Sequence, residues 1–351
     1  MPNIQANDLV GLSQAIFEGI GTPSETAQIV AESLVKSNLL GHDSHGVQLV
    51  PMYIRRIQQD AIDPLAEPTT ARQTAAVSIV DGNWGYGQIV ARYGTEVAIQ
   101  AARQFGIGCV ALTQSNHIGR LGEYAQMIAE AGLVGMLVTG LSRSTGIVAP
   151  YGGRDRLFGT NPMAWGMPVD DSRPPLIVDF ATSGVAYGKV NVAASKGVPL
   201  PPGLLLDKDG QPTTDPADVD LSKQDTGALL PFGAHKGSGL MLTIELLTRS
   251  LAGFSEINDN SNPAQIGNPT LITAYNIEAF LSQADFQVYV ETFLQRVKDN
   301  RPAPGFDEVL LPGEPEARTE VERLRDGVPI PETTWSTLLE LAESLGVAYN
   351  L

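Results

Sequence analysis

The densest group of potentially reactive side chains in this 351-residue chain is the segment GHDSHG, residues 41–46. Two of the four histidines, His42 and His45, lie three residues apart there, with Asp43 and Ser44 between them. These residue types allow three kinds of chemistry. Histidine and aspartate can bind a metal ion, a serine beside a histidine can be an activated nucleophile, and a histidine held by a hydroxyl or carboxylate can transfer protons.

The surroundings of this segment favour proton transfer. No HExxH pattern and no cysteine cluster accompanies the histidines, which weakens the metal interpretation. Ser44 is flanked by Asp43 and His45 rather than by the small residues of a G-x-S-x-G nucleophile elbow. We therefore expect His45 to be a proton donor and acceptor oriented by polar neighbours, with a purely structural cluster at a helix end as the alternative.

Three further positions are candidates for binding or catalysis. His117, in SNHIGRLGEY, follows an apolar strand pattern, where α/β folds place ligand-facing groups. Asp179 is a lone carboxylate in the apolar run LIVDFATS, so burial would require a partner, for which a histidine is suitable. His235 and Lys236 precede a long apolar helix pattern, where a phosphate could bind. The structural alternatives are that His117 is a core histidine, that Asp179 caps a nearby loop and that Lys236 is merely solvated.

The chain lacks the standard nucleotide-binding motifs. GIGCVA at 106–111 matches G-x-G-x-x-A, but it enters a predicted strand, whereas the Rossmann fingerprint follows a strand and opens a helix. YGKV at 187–190 lacks the hydroxyl residue and the upstream glycine of a P-loop. Neither segment therefore predicts a nucleotide site.

Hydrophobic periodicity and breaker residues predict the elements that position these groups. The predicted helices are 23–40, 47–58, 88–104, 235–251, 283–299, 316–327 and 333–346. The predicted strands are 76–82, 107–114, 133–140, 161–169, 175–182 and 270–277. The Pro- and Gly-rich stretch 197–233 predicts an ordered surface excursion with a hairpin at LLLDKDGQP. The pattern indicates an α/β or α+β fold of two or three subdomains.

Composition narrows the function classes. With 23 Lys and Arg against 39 Asp and Glu, the net charge is -16, so phosphate backbones would repel the chain and no nucleic-acid partner is expected. The N-terminus has no basic n-region and no long apolar stretch, which predicts a cytoplasmic protein without membrane contact. The single cysteine, Cys109, excludes intrachain disulfides and is predicted to be a small buried residue.

Seven segments, in this order, resemble the signature segments of the malate/L-lactate dehydrogenase family: GHDSHGVQLVPMYIRRI, SNHIGRLGEYA, VAPYGGRDRLFGTNPMAWGMP, PLIVDFATSGVAYGKV, LLDKDGQPTTDP, LLPFGAHKGSGLMLTIELL and VLLPGEPEAR. This is a family of NAD(P)-dependent oxidoreductases without a Rossmann fold. The resemblance covers nearly the whole chain. It implies a mixed α/β fold, with a non-Rossmann NAD(P)-binding domain on a largely antiparallel sheet beside a mostly helical domain from both chain ends.

The resemblance also implies domain boundaries. Residues 1–75 would form the helical N-terminal part of a substrate and dimerisation domain, and 76–300 the cofactor-binding domain, which includes the excursion at 197–233. Residues 301–351 would be C-terminal helices that return to the first domain. The implied assembly is a homodimer.

The same resemblance implies roles for individual residues. His45 would give a proton to the substrate oxygen or nitrogen as hydride arrives from nicotinamide, with Ser44 and Asp179 as its relay and His117 as a second active-site histidine. NAD, or NADP, would contact His45, Gly119, Arg120, Leu121, Thr160, Ile177, Val178, Asp179, Phe180, Ala181, His235, Lys236, Asn268, Gly313, Glu314, Pro315 and Glu316. No metal is implied.

One departure from the family pattern concerns the substrate. Several members carry Arg two residues after SHGV, where a guanidinium can bind a carboxylate in bidentate fashion, but this chain has Leu49. Arg120 could take over part of that carboxylate binding. The expected substrate is an apolar or aromatic 2-oxo acid such as phenylpyruvate. Cyclic ketimines, malate and lactate are alternatives within the family, and a noncatalytic small-ligand or metal-binding protein is the alternative outside it.

Overall fold

A computed structural model of the chain describes residues 1–141, 146–169, 173–253, 262 and 264–347. Within these ranges the α-helices are α1 (Ala6–Gly19), α2 (Ser24–Leu39), α3 (Val50–Gln58), α4 (Gly87–Phe105), α5 (Gly122–Glu130), α6 (Tyr187–Lys196), α7 (His235–Glu245), α8 (Gln283–Lys298), α9 (Glu314–Asp326) and α10 (Glu332–Ser344). The strands are β1 (Asn3–Ile4), β2 (Thr69–Thr74), β3 (Val77–Asp81), β4 (Ile107–Thr113), β5 (Val134–Thr139), β6 (Met163–Met167), β7 (Leu176–Phe180), β8 (Leu205–Leu206), β9 (Pro212–Thr213), β10 (Ala228–Leu229), β11 (Thr270–Tyr275) and β12 (Val328–Pro329).

The central element is a seven-stranded sheet in the order β2-β3-β4-β11-β5-β6-β7. Its β3–β4 pair is parallel, and the other five neighbouring pairs are antiparallel. Helices α4 and α5 cover one face, where Val90 and Tyr124 pack with Leu112 and Ile272. The approach is close, since a Cβ on Gly166 of β6 would lie 2.0 Å from the Ala125 carbonyl oxygen. The expected mixed α/β fold with a largely antiparallel sheet is confirmed.

Both chain ends build a separate helical core. β1 pairs antiparallel with β12, with Asn3 opposite Pro329, which brings the first and last parts of the chain together. Phe17, Leu34 and Leu338 are fully buried in this core, whose helices are α1, α2, α3 and α10. Burying each such side chain contributes roughly 1.5–3 kcal/mol. The predicted helical part from both chain ends is thus present.

The excursion at 197–233 is ordered. β8 and β9 form the predicted hairpin, with Leu205 opposite Thr213, and β10 adds a third strand. The Asp207 carboxylate caps the turn by accepting the backbone N–H groups of Asp209 and Gln211, both at 2.8–2.9 Å. This turn chemistry explains why the sequence signal was readable.

The periodic elements lie where the sequence predicts them, except that the helix expected over 235–251 changes after Glu245 to a π-helix at Leu246–Ser250. Among the longer elements, α1, β2, α5 and α6 were not predicted, and neither were the two-residue strands β1, β10 and β12. β2 joins the large sheet beside β3. The domain boundaries at 75 and 300 stay predictions. Within the described ranges, no helix combines the length and apolar character needed to cross a bilayer.

Candidate active site

The GHDSHG segment is held rigidly after the end of α2. Gly41, at φ +83°, terminates the helix in the left-handed region. The Asn38 side chain then bridges the segment, since its Nδ2 donates to Asp43 Oδ1 at 2.7 Å and its Oδ1 accepts the Val47 N–H at 2.9 Å. A Cβ on Gly46 would lie 2.2 Å from Asn38 Oδ1, so glycine is required where this amide crosses. The local sequence therefore fixes the path of the segment.

A residue far along the chain secures the same segment. Arg323, on α9, donates to both carboxylate oxygens of Asp43, at 2.6 Å and 3.1 Å, and to the Asn38 carbonyl oxygen. Such bidentate pairing fixes orientation as well as adding energy. Asp43 is thus an anchor. Among the residues that the structure describes, no group of three His, Cys, Asp or Glu side chains is arranged to hold a metal ion.

Ser44 and His45 form the predicted pair. Ser44 Oγ lies 3.1 Å from His45 Nδ1 in a single 3-10 turn at Asp43–His45. Burial lowers the pKa of His45 and the charge of Asp179 opposes that shift, while His42 and Arg120 lower the pKa further. His45 is therefore favoured in its neutral form, with Nδ1 engaged by Ser44. Its Nε2 has no hydrogen-bond partner among the described residues, which leaves this atom for a substrate.

Asp179, on β7, lies at the start of α5. Its Oδ2 accepts the Gly122 N–H at 2.6 Å, and the positive end of the helix stabilises the carboxylate. A Cβ on Gly122 would lie 2.3 Å from Arg120 Nη1 and 2.9 Å from Asp179 Oδ2, so glycine allows both charged groups to approach. The contact that the structure gives Asp179 is thus with a backbone N–H. Its effect on His45 is electrostatic.

His117 lies beside His45, as the resemblance implied. The two imidazole rings are nearly parallel, at 17°, and their centroids are 5.8 Å apart. His117 Nδ1 lies 2.7 Å from the Tyr53 hydroxyl and 3.3 Å from the backbone nitrogen of Gly119. Burial lowers the pKa of His117 to about 3, with smaller contributions in the same direction from His45 and Arg56. His117 is consequently neutral at physiological pH.

A recess open to solvent lies beside His42 and Asp179. Five predicted cofactor residues line it, together with His42: Arg120, Ile177, Asp179, Gly313 and Glu316. Arg120 is only 5% exposed, and its Nη2 is buried without a hydrogen-bond partner in the described part of the chain. A buried guanidinium nitrogen without such a partner is suited to an anionic ligand or a bound water. A dinucleotide pyrophosphate or a substrate carboxylate would be such an anion, so the residues present fit an NAD(P) site.

The recess is assembled from distant segments. A Cβ on Gly313, at the start of α9, would lie 3.7 Å from the Ile177 backbone nitrogen. Glu314 accepts a hydrogen bond from Lys298 at 2.9 Å, and Pro315 follows in the first turn. His42 Nε2 lies 3.6 Å from Glu316 Oε1. The predicted group 313–316 therefore faces the edge strand β7 and the GHDSHG segment.

The remaining predicted cofactor residues surround the same end of the sheet. Gly119 and Leu121 are buried in the loop that carries His117, and Val178 is half-buried on β7. The Phe180 ring lies 5.9 Å from that of Phe232, and Ala181 beside it is half-buried. The Thr160 carbonyl oxygen accepts the Thr182 N–H, and the Asn268 N–H donates to the Ser115 carbonyl oxygen. His235 and Lys236 are exposed at the start of α7. Phe232 is three residues from His235, which brings α7 toward β7. Leu49 is half-buried and packs against the helical core.

Sequence reasoning missed four residues of the site. Tyr53 and Gln88 support His117, and Asn38 and Arg323 hold the GHDSHG segment. Tyr53 is 64 residues from His117, and Arg323 is 280 residues from Asp43. No spacing rule connects positions so far apart. For Tyr53 the one available signal is the helical periodicity of α3, and that periodicity is typical of a core residue rather than a site residue.

The chain is similar to known proteins over nearly its whole length. A family model described as malate/L-lactate dehydrogenase matches residues 4–339. The chain is 37% identical over 348 residues to hydroxycarboxylate dehydrogenase B of Escherichia coli strain K12, which covers 97% of this chain and 94% of that protein.

Two solved structures extend the comparison. The crystal structure of malate dehydrogenase from Entamoeba histolytica superposes with a TM-score of 0.92 at 27% identity, covering 100% of this chain and 99% of that chain. The crystal structure of Δ1-piperideine-2-carboxylate reductase from Pseudomonas syringae pvar. tomato gives a TM-score of 0.82 at 30% identity, covering 97% of this chain and 100% of that chain.

Proposed function

The chain belongs to the malate/L-lactate dehydrogenase family, and from that premise we propose that it is an NAD(P)-dependent oxidoreductase interconverting 2-hydroxy acids and 2-oxo acids. The observation that carries the proposal is the Ser44–His45 pair close to Asp179 and to the buried Arg120, both of which line the recess. The pair provides a proton-transfer group. The recess provides an anion site. A 2-oxo acid reduction needs both.

In the reducing direction, His45 Nε2 would donate a proton to the substrate carbonyl oxygen. A nicotinamide bound in the recess would supply the hydride. Ser44 orients the imidazole through Nδ1, and the Asp179 carboxylate stabilises the protonated form, since it raises the pKa of His45. In the oxidising direction, neutral His45 would accept the hydroxyl proton. Arg120 would hold the substrate carboxylate or a cofactor phosphate.

We propose NAD as the cofactor, with NADP as the alternative, and apolar or aromatic 2-oxo acids such as phenylpyruvate as substrates. The support for the substrate class is Leu49, which offers no cation for a second carboxylate. Leu49→Arg should raise kcat/KM for oxaloacetate relative to phenylpyruvate. Leu49→Met, which keeps the apolar volume, is the matched control. An unchanged ratio in Leu49→Arg would contradict this specificity.

A second candidate within the same chemistry is a reductase of cyclic ketimines. The observation that favours it is the superposition on Δ1-piperideine-2-carboxylate reductase over 97% of this chain. The proton from His45 would then go to a ring nitrogen. A panel of 2-oxo acids, including malate and lactate precursors, and cyclic imines, assayed with NADH and with NADPH, separates the candidates. Faster turnover of cyclic imines than of every 2-oxo acid would replace the first proposal with the second.

We also propose a homodimer and a cytoplasmic location. The dimer is supported by apolar side chains that are exposed along α7 and the π-helix that follows it, namely Leu240, Leu242, Leu246 and Leu251. Exposed apolar side chains on the helix that begins at His235 would place the subunit boundary beside a predicted cofactor segment. Sedimentation equilibrium at micromolar protein should give twice the chain mass of 37.3 kDa. A monomer would contradict the proposed dimer.

A further inference from the structure

The hydrogen-bond partners of His117 define which of its ring nitrogens carries the proton. Gly119 donates its backbone N–H to Nδ1 at 3.3 Å, and Tyr53 Oη lies 2.7 Å from the same atom. Behind the tyrosine, Gln88 Nε2 donates to Tyr53 Oη at 2.9 Å. Tyr53 and Gly119 thus meet on one side of the imidazole, with Gln88 behind the tyrosine.

The backbone N–H decides the tautomer. A backbone N–H can only donate, so the nitrogen that it faces must present a lone pair. A hydrogen on Nδ1 would point at the Gly119 N–H and would leave the tyrosine hydroxyl only the more distant His117 carbonyl oxygen, at 3.4 Å. The Tyr53 oxygen accepts from Gln88, and its hydroxyl hydrogen goes to Nδ1 at 2.7 Å rather than to the His117 carbonyl oxygen at 3.4 Å. A neutral imidazole with a lone pair on Nδ1 carries its hydrogen on Nε2.

We propose that Tyr53, supported by Gln88, is a positioning residue that holds His117 as the neutral Nε2–H tautomer and makes it a hydrogen-bond donor to the substrate. The proposal rests on the oxidoreductase function proposed above. His117 then supplies a fixed donor and His45 alone exchanges the proton, which gives two adjacent histidines different tasks. A donor fixed in advance is worth more than one that must reorient during the reaction.

The burial of the two supporting residues fits this task. Tyr53 is 1% exposed and Gln88 is fully buried. The Tyr53 ring packs in the helical core, 6.3 Å from the rings of Phe17 and Tyr86, while its hydroxyl reaches out of that core to His117. The aromatic ring therefore fixes the hydroxyl in place. Tyr53 thus connects the helical core to His117.

Tyr53→Phe tests the proposal, because it keeps the ring and removes the hydroxyl. With only four histidines in the chain, His117→Gln assigns the His117 signals in ¹⁵N spectra of the cofactor-free protein. We expect wild type to show one His117 tautomer, protonated at Nε2, and Tyr53→Phe to show a mixture. We expect kcat/KM for 2-oxo acid reduction to fall roughly tenfold, below the 10²–10³ loss for removing a whole donor.

Tyr86→Phe is the matched control. Tyr86 is buried in the same aromatic group, but its hydroxyl bonds to Thr22 at 2.8 Å. We expect wild-type ¹⁵N signals and wild-type kcat/KM from it. Gln88→Met, a second variant, should shift the tautomer in the same direction as Tyr53→Phe by a smaller amount.

Two results would overturn the proposal. One is a Tyr53→Phe protein with the wild-type tautomer pattern, whatever its activity. The other is an equal loss of activity in Tyr53→Phe and Tyr86→Phe, which would indicate packing alone. The spectra need no substrate, so they test the tautomer even if wild type reduces neither 2-oxo acids nor cyclic imines.

Discussion

The neutral state of His117 should make the protein lose stability in acid by an amount that follows from its pKa. Burial lowers that pKa from 6.5 to about 3. The unfolded chain therefore binds the proton more readily, and the free energy of unfolding falls as the pH drops from about 6.5 toward about 3. At one pKa unit per 1.36 kcal/mol, two pH units below 6.5 correspond to about 3 kcal/mol.

His117→Gln isolates this contribution, because glutamine keeps hydrogen-bonding groups and does not titrate. Between pH 7 and pH 4.5, wild type should lose about 3 kcal/mol more of its free energy of unfolding than the variant. The slopes should differ by about one proton, or about 1.4 kcal/mol per pH unit. Urea unfolding at fixed protein concentration measures both curves. The carboxylates, His42 and His45 are common to both proteins, so parallel pH curves would refute the claim that His117 is neutral in the folded protein.

Two further predictions concern the groups around His45. Asp179→Asn removes the charge that raises the pKa of His45. The acidic limb of the pH profile of kcat/KM for 2-hydroxy acid oxidation should therefore move to lower pH. An acidic limb at the wild-type position would contradict the electrostatic role of Asp179. Arg323→Met removes both hydrogen bonds to the partly exposed Asp43 and should lower the free energy of unfolding by about 1–2 kcal/mol and reduce kcat/KM. Arg325→Met, which loses only an exposed pair with its neighbour, is the control, and equal behaviour of the two variants would argue against the anchor.

Much of the fold was predictable because, in its strands, the hydrophobic periodicity and the positions of glycine and proline indicate the same boundaries. β11 alternates buried and half-buried residues, and the hairpin at β8 and β9 has its aspartate and glycine in the turn. The overlooked α1 also carried a signal, since Leu9, Leu12 and Ile16 repeat at helical spacing. β2 carried no such hydrophobic signal, because five of its six residues are exposed and it lies at a sheet edge. The order of the strands depends on long-range pairing that local patterns do not encode.

The site divides in the same way. The GHDSHG segment, His117 and Asp179 were recognisable because reactive side chains stood out in apolar or glycine-bounded surroundings. The residues that hold these groups in place were not recognisable from the sequence. Tyr53 reads as a core residue in an amphipathic helix, and Arg323 is one of several charges on α9. Their roles come from contacts between chain segments, which the tertiary fold creates.

The central claim, hydride transfer to a 2-oxo acid with proton delivery by His45, is tested most directly by isotope transfer. The protein is incubated in ordinary water with reduced cofactor carrying deuterium at both C4 positions of the nicotinamide, together with phenylpyruvate. We predict a 2-hydroxy acid with one deuterium at C2. We also predict loss of product in His45→Ala with cofactor binding retained. Product without deuterium at C2, or undiminished product from His45→Ala, would contradict the account.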